Sequence, residues 1–230
     1  MTGSSLPGDS FPLPPHPSWL PNEGVLTEFY AETVRYPRYR NRVTEYIARL
    51  LPPDGPCSIL DVGAGDGYLS VFLKTYRPNT QVVGVDVDRR RLSHSRSAVA
   101  LYDGRSLPFG DGSFDVALLT NVLHHADSMP EVLIETCRVA RRRIIIKDHW
   151  SRGAWDRLRL AVLDVLGNLR FGASATGRYL DATQWSALFA RAGCGRLRRY
   201  PELPFRAGFM AALFANRLES LFSLEIDDGS

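Results

Sequence analysis

The chain has 230 residues, which suits one α/β domain with a full core and is short for two ordinary domains. Apolar residues make up 44% and charged residues 23%, and this excludes a wholly disordered, collagen-like or coiled-coil protein. The formal net charge is only +3, and 25 acidic residues are spread among the arginines. The arginine runs 89–91 and 141–143 are therefore interpreted as solvated surface, and the sequence carries no strong nucleic-acid signal.

Cysteine usage and hydropathy limit the compartment. Cys57, Cys137 and Cys194 stand far apart without a nearby histidine pattern, so neither a disulfide framework nor a metal site is predicted. The chain does not begin with a basic segment and an apolar core, and no run of about 18 apolar residues occurs, so no signal peptide or membrane span is predicted. We expect a cytoplasmic monomer or homodimer.

The first 24 residues are rich in proline, glycine and serine, which disfavours a helix or a strand. Residues 1–24 are predicted to be a flexible tail, and residues 25–230 a single domain. Phe11, Trp19 and Leu20 are unusual in a solvated linker, so closure of the tail over an active site is the alternative interpretation.

From residue 25 to 51 the apolar spacing is helical, and prolines end the pattern. Strand and helix patterns then alternate, which predicts right-handed crossovers and a largely parallel sheet covered by helices on both faces. The predicted strands are 57–62, 81–85, 99–102, 114–120 and 143–147, and the predicted helices are 68–76, 89–98 and 130–139.

After residue 148 the rhythm changes. A long apolar helix over 154–169 and a loop over 171–179 are followed by a helix over 181–192 and strands over 195–200 and 209–216. The long helix over 154–169 carries a stripe of apolar side chains. Such a stripe is typical of a helix side buried in the core, and a substrate wall or a dimer contact is the alternative. Residues 151–180 are predicted to be a substrate or lid insertion. The stripe consists of Trp155, Leu158, Val162, Val165 and Leu166.

A glycine cluster lies where the first strand ends and the next helix begins. Gly63, Gly65 and Gly67 allow a tight turn and let a ligand approach bare backbone at the carboxyl edge of the sheet. Their G-x-G-x-G spacing differs from the G-x-G-x-x-G turn of dinucleotide folds, which disfavours NAD. Asp86 ends the second strand, where a carboxylate can bind both hydroxyls of a ribose or, alternatively, cap a helix.

Four ordered motifs resemble those of class I S-adenosylmethionine-dependent methyltransferases. They are Asp61-Val-Gly-Ala-Gly-Asp-Gly67, Val83-Gly-Val-Asp86, Asp103-Gly104 with Leu107-Pro-Phe109, and Phe114-Asp-Val116 leading to Asn121-Val-Leu-His-His125. The resemblance covers about residues 40–148. It implies a Rossmann-like three-layer sandwich, with a mostly parallel seven-stranded sheet whose last strand is antiparallel. The Gly-Gly turn that often precedes the fifth strand of the family is replaced here by Ala140-Arg141.

The resemblance also implies a cofactor, S-adenosylmethionine, and its product S-adenosylhomocysteine. It places the backbone of Gly63, Gly65 and Gly67 against the methionine and ribose portions. The side chains that it implies around the cofactor are Asp61 at the methionine amino group, Asp86 at the ribose, Val87, Asp103 and Gly104 at the adenine, and Asn121 beside the methionine.

Candidate catalytic residues follow the fourth and fifth strands, because groups that meet the acceptor must lie at the strand ends beside the cofactor. They are His124 and His125 after the fourth strand, and Asp148 and His149 after the fifth. Histidine exchanges protons near neutral pH, and an aspartate can orient it. We favour His149 and His125, and a loop or capping role stays open for each histidine. Lys147 precedes Asp148 at the same strand end, where it is either a further functional side chain or a structural ion-pair partner.

The sequence therefore predicts a methyltransferase that acts on a small organic acceptor, at oxygen in preference to carbon or nitrogen. Three rival functions remain open. One is methylation of RNA or protein, although the Asn-Pro-Pro-aromatic signature of amino-group methylation is absent after Asn121. The others are an NAD-dependent oxidoreductase and a noncatalytic binding protein that keeps the fold.

Overall fold

The computed structural model describes residues 11–31, 37–52, 55–88, 98–168, 177–193, 195–206, 208, 211 and 216–226. Within these ranges seven strands form one sheet. The strands are β1 (Cys57–Val62), β2 (Thr80–Asp86), β3 (Val99–Leu101), β4 (Phe114–Thr120), β5 (Ala140–His149), β6 (Arg196–Pro201) and β7 (Glu219–Glu225). The helices are α1 (Glu23–Ala31), α2 (Pro37–Leu50), α3 (Tyr68–Tyr76), α4 (Met129–Val139), α5 (Ala154–Asn168) and α6 (Ala182–Ala192), with 3-10 turns at Leu123–His125 and Asn216–Leu218.

The strand order is β3-β2-β1-β4-β5-β7-β6. Strands β1 to β5 pair in parallel, whereas β7 is antiparallel to both of its neighbours, β5 and β6. The prediction of a mostly parallel, seven-stranded sheet with an antiparallel last strand is confirmed. Because the strand order reverses between β1 and β4, a crevice opens at their carboxyl ends, which is where open α/β sheets bind ligands.

Apolar side chains fill both faces of the sheet, as the nearly continuous apolar strands predict. On one face Ile47 of α2 and Phe72 of α3 are buried against β1 and β4. On the other face Leu133 of α4 and Trp185 of α6 pack against β4, β5 and β7. Residues 11–22 form no helix or strand, yet Leu20 is buried in the first cluster. The mobility of the predicted tail stays a prediction.

Two predicted elements differ in the structure. The pattern over 25–51 forms two helices, α1 and α2. The strand predicted over 209–216 lies mostly outside the described residues, and the strand that pairs with β5 and β6 is Glu219–Glu225. The helix predicted over 89–98 lies almost wholly outside the described residues.

Four of the five residues in the predicted apolar stripe of α5 are exposed, so their assignment to the core is wrong, and the side chain of Leu166 lies outside the described part of the structure. Trp155 is 77% exposed and Leu158 is 54% exposed, and Val162 and Val165 also face outward. The buried side of the helix carries Leu160 together with two carboxylates. The two carboxylates are Asp156, which binds the guanidinium of Arg217 at 2.7 and 2.9 Å, and Asp164, which faces the histidines described below.

Two of the cysteines differ in their bonding state. Cys57 is buried and free, whereas Cys137 of α4 is disulfide-bonded, which the cysteine spacing did not indicate.

Among the described residues no helix combines the length and the apolar character that crossing a membrane requires.

Candidate cofactor and acceptor site

The glycine turn after β1 forms the floor of the crevice. Gly63, Gly65 and Gly67 all have positive φ, between 58° and 72°, a conformation that glycine adopts without a Cβ penalty. The N–H groups of Gly63 and Ala64 donate to the carbonyl oxygen of Val85 at 2.8 and 3.0 Å. A Cβ on Gly63 would lie 2.5 Å from a methyl of Val122. The turn therefore lies directly against the loop that follows β4.

Asp86 locks the turn from the neighbouring strand. Its buried carboxylate accepts the N–H of Gly65 on Oδ2 at 2.8 Å and the N–H of Asp88 on Oδ1 at 2.9 Å. Each oxygen of a carboxylate has two acceptor positions, so Asp86 keeps the capacity to accept two hydroxyl groups at the crevice.

Val87 directly follows Asp86 at the end of β2, and Asp103 and Gly104 follow the neighbouring strand β3. The side chain of Val87 is exposed, and a Cβ on Gly104 would lie 3.2 Å from its Cγ1. Asp103 is exposed, and its Oδ1 accepts the N–H groups of Arg105 and Ser106, which hold the pKa of its carboxyl below the usual value.

Asp61 lies at the end of β1 with its side chain buried. Burial raises the pKa of this carboxyl to about 7, because desolvation disfavours the charged form; the hydroxyl of Ser70, which donates at 3.2 Å, opposes the rise, and the negative charges of Asp66 and Asp86 add to it. A cation that approached Asp61 would favour its ionised form.

Asn121 begins the loop after β4 and is held by a buried polar network. It has φ +57°, its Oδ1 accepts from Lys147 Nζ at 2.6 Å, and its Nδ2 lies 3.5 Å from the hydroxyl of Tyr39. Lys147 also forms an ion pair with Glu219 of β7, and both side chains are fully buried. The ion-pair alternative for Lys147 therefore describes the structure, and sequence reasoning missed both Tyr39 and Glu219.

His124 and Asp148 form a buried pair. His124 Nδ1 lies 2.6 Å from Asp148 Oδ1, and Asp148 Oδ2 accepts the N–H of Leu123 at 3.0 Å. Burial lowers the pKa of His124, but the charge and hydrogen bond of Asp148, together with the charge of Asp164, outweigh burial and raise it to about 9. Burial opposes the ionisation of Asp148, and the charge of His124 reverses this effect and lowers the pKa of the carboxyl.

Asp164 and Tyr179 complete the cluster and were not predicted as functional residues. Asp164 Oδ1 lies 3.6 Å from His124 Nε2 and 3.9 Å from His125 Nε2, and Tyr179 donates its hydroxyl to Asp164 Oδ2 at 2.5 Å. The signal in the sequence was Asp164, an aspartate between apolar residues of the helix, which becomes informative only when the helix is known to bury that side.

His149 is the third imidazole of the cluster. Its ring centroid lies 4.6 Å from that of His124 and 5.7 Å from that of Tyr179. Burial lowers the pKa of His149 to about 3, and the charges of His124 and Lys147 contribute, so the ring is uncharged at neutral pH. Its Nδ1 is buried without a hydrogen-bond partner among the described residues. The structure thus brings together all four predicted catalytic side chains.

Comparisons with known proteins find similar methyltransferases. Residues 60–145 match the family model described as "Methyltransferase domain". The chain is 29% identical over 193 residues to a malonyl-[acyl-carrier protein] O-methyltransferase of Geobacter sulfurreducens, a match that covers 77% of this chain and 72% of that protein. A protein of the same name from Legionella pneumophila is 32% identical, over 36% of this chain and 32% of its own length.

A solved structure shares the fold across almost the whole chain. It is a protein of Thermotoga maritima described as a SAM-dependent methyltransferase and possible histamine N-methyltransferase, with a TM-score of 0.60 and 17% identity over 89% of this chain and 99% of that one. The sheet order, the matched methyltransferase domain and these relatives agree with the ordered motifs at the strand ends. Residues 60–145 therefore form a methyltransferase domain, and the chain has the fold of the class I S-adenosylmethionine-dependent methyltransferases.

Proposed function

We propose that the protein transfers the methyl group of S-adenosylmethionine to an oxygen atom of a small organic acceptor. The observation that carries the proposal is the polar cluster at the strand ends. Asp148 and His149 end β5, and His124 and His125 lie in the loop after β4, which touches the glycine turn through Val122. Relatives with the name of O-methyltransferases support the choice of oxygen.

The residues around the crevice fit the cofactor. The glycine turn leaves no room for a Cβ at Gly63, and Gly104 lies against Val87 in the same way. Asp86 would bind the ribose hydroxyls, Val87, Asp103 and Gly104 would surround the adenine, and Asp61 and Asn121 would face the methionine amino group and its neighbourhood. Gly65 and Gly67 would present backbone to the same ligand. When bound, the cofactor supplies a methyl group on a sulfonium, which is a good leaving group.

On the acceptor side the cluster offers a place for one oxygen atom. Displacement at a sulfonium depends mainly on alignment and on the exclusion of water, which a site closed by α5 and Tyr179 supports. His124, oriented by Asp148, would form the buried wall of this place. His149 would take the proton of an acceptor hydroxyl on its unpartnered Nδ1, and His125 would border the open side.

The direct test is transfer of an isotope-labelled methyl group from S-adenosylmethionine to a panel of small carboxylic acids and hydroxyl compounds. We expect formation of S-adenosylhomocysteine and a product with the label on oxygen, identified by mass and by NMR. Label found in RNA or protein, or tight binding of NAD with none of S-adenosylhomocysteine, would contradict the proposal.

Replacing His149 separates chemistry from cofactor binding. We expect His149→Ala to lower the single-turnover rate by about 10²- to 10⁴-fold, the usual contribution of a proton acceptor, and to leave the affinity for S-adenosylhomocysteine within a few-fold of wild type. His16→Ala, an exposed histidine outside the cluster, is the matched control and should change neither. A variant that loses cofactor affinity while it keeps the wild-type rate would refute this role.

A further inference from the structure

We propose that His124, His125 and Asp164 bind one divalent transition-metal ion. Their ligand atoms are His124 Nε2, His125 Nε2 and Asp164 Oδ1, and all three lie within 4.8 Å of one another. The carboxylate oxygen is 3.6 Å from the first nitrogen and 3.9 Å from the second. Ligands at about 2.0 to 2.2 Å from one ion are separated by about 3 to 3.5 Å, so small side-chain adjustments close the site.

The decisive observation is the unpartnered nitrogen of His124. Nε2 is buried, has no hydrogen-bond partner among the described residues and points at Asp164 across a gap too long for a hydrogen bond. A buried polar atom without a partner calls for an ion or a water at that place. In the ion-free protein a proton can occupy the nitrogen, and an ion would displace it.

Neighbouring side chains orient two of the three ligands, His124 and Asp164, as in known metal sites. A metal-binding histidine commonly donates its other ring N–H to a carboxylate, which fixes the tautomer and directs the lone pair to the ion. Asp148 is that carboxylate for His124, at 2.6 Å from Nδ1. Tyr179 plays the same part for Asp164, because its hydroxyl holds Oδ2 at 2.5 Å and leaves Oδ1 turned to the histidines.

A second group in the cluster, formed by His124, Asp148 and His149, is a poorer candidate. Both oxygens of Asp148 are already engaged, Oδ1 by His124 and by the N–H of His149, and Oδ2 by the N–H of Leu123. A metal there would have to break these bonds. The site therefore lies on the outer side of His124, toward α5.

The donor set indicates the class of ion. Two imidazoles and one carboxylate suit zinc, iron, cobalt or manganese, whereas magnesium and calcium prefer oxygen ligands throughout. His125 is partly exposed, so the remaining coordination positions face the open side of the cluster. An acceptor oxygen bound there would lose its proton more readily, and this catalytic use, unlike the binding itself, rests on the proposed methyl transfer.

The test is ion binding by the full, untagged chain after treatment with a chelator. We expect one Zn²⁺ or Co²⁺ per chain by calorimetry, with a visible Co²⁺ spectrum of nitrogen and oxygen ligands, and a much weaker response to Mg²⁺. Asp164→Asn and His125→Ala should each lower the affinity by about 10- to 100-fold or more. Asp156→Asn, on the same buried side of α5 but paired with Arg217, is the matched control and should bind as wild type does.

Thermal unfolding of each variant shows whether it is folded, and His125→Ala keeps the test valid if Asp164→Asn is not. Absence of binding below about 100 µM, or wild-type binding by both variants, overturns the site. Methyl transfer at full rate in the presence of a chelator overturns its catalytic use and leaves the methyltransferase function standing. Ion binding without any methyl transfer supports the site and counts against the proposed function alone.

Discussion

Asp61 carries an ionisable group in a buried place at the end of β1. The raised pKa, about 7, means that ionisation costs the folded protein more than the unfolded chain. The stability that a protonated Asp61 provides is fully present below the unfolded pKa of 3.8 and is lost as the pH rises through about 7. A bound methionine ammonium group near Asp61 would recover part of that cost.

The pH dependence of unfolding tests this argument. We expect Asp61→Asn, whose amide does not ionise, to lose less stability than wild type between pH 5 and pH 8, by at most about 3 kcal/mol. Urea unfolding at both pH values without cofactor measures the difference. Asp111→Asn, at an exposed carboxylate, is the control and should keep the wild-type slope. Equal slopes for wild type and Asp61→Asn would contradict the buried carboxyl.

The strand-to-helix turn between β1 and α3 is shaped by steric contact as well as by dihedral angles. Gly63 combines φ +71° with a Cβ position 2.5 Å from Val122. Gly55 has a similar φ, +85°, but apart from its chain neighbours no atom of the described residues lies within 4 Å of its Cβ position. The two glycines thus share the conformational requirement and differ in the space around them.

A pair of alanine variants separates these two effects. Gly55→Ala should cost about 1 to 2 kcal/mol, the penalty for a positive φ alone. Gly63→Ala should cost more, because Val122 must move, and it should also weaken S-adenosylhomocysteine binding. Urea unfolding and calorimetry measure the two quantities. Equal stability losses with unchanged cofactor affinity would mean that the close approach has no importance.

Helix α5 faces the cluster with a side that its apolar pattern did not indicate. The helical period of the segment is visible in the sequence, but the stripe of larger apolar residues points outward and the buried side contains two aspartates. An aspartate is normally exposed, and it becomes favourable inside only with partners such as Arg217 or His124, which lie far away in the chain. Periodicity locates a helix and cannot identify its buried side when those partners are unknown.

Two leucines of α5 test which side is buried. Leu160 is 0% exposed and Leu158 is 54% exposed, so the same substitution samples both sides of one helix. Leu160→Ala should cost about 2 to 5 kcal/mol, and Leu158→Ala should stay within about 0.5 kcal/mol. Thermal or urea unfolding decides. Similar losses at the two positions would mean that another surface covers Leu158.

At the scale of the whole molecule, the sequence predicts the strands and the glycine turn of the proposed cofactor site better than it predicts the antiparallel strand β7. Residues 57–62, 114–120 and the glycine turn have local signals: short apolar runs and glycines at the strand end. Strand β7 has a weaker one, because it begins with the buried Glu219, whose partner Lys147 lies on β5, 72 positions earlier. A charge looks like surface until its distant partner is known, and the apolar run before it attracted the strand assignment instead.

The buried ion pair of Lys147 and Glu219 joins β7 to the strand end that carries the site, and Arg206 also binds Glu219 at 2.9 Å. Removing Glu219 leaves the charge of Lys147 buried without an opposite charge, so Glu219→Gln should cost about 3 to 5 kcal/mol, and Lys147→Met should cost less because Arg206 still binds Glu219. The double variant should cost clearly less than the two losses added together, because neither charge is then left alone. Urea unfolding of the four proteins gives the coupling free energy.

Arg152 and Glu202, an ion pair at 2.9 Å with both side chains more than half exposed, form the control cycle and should show coupling near zero. Coupling at Lys147 and Glu219 no larger than in that control would mean that β7 is held by its apolar contacts alone.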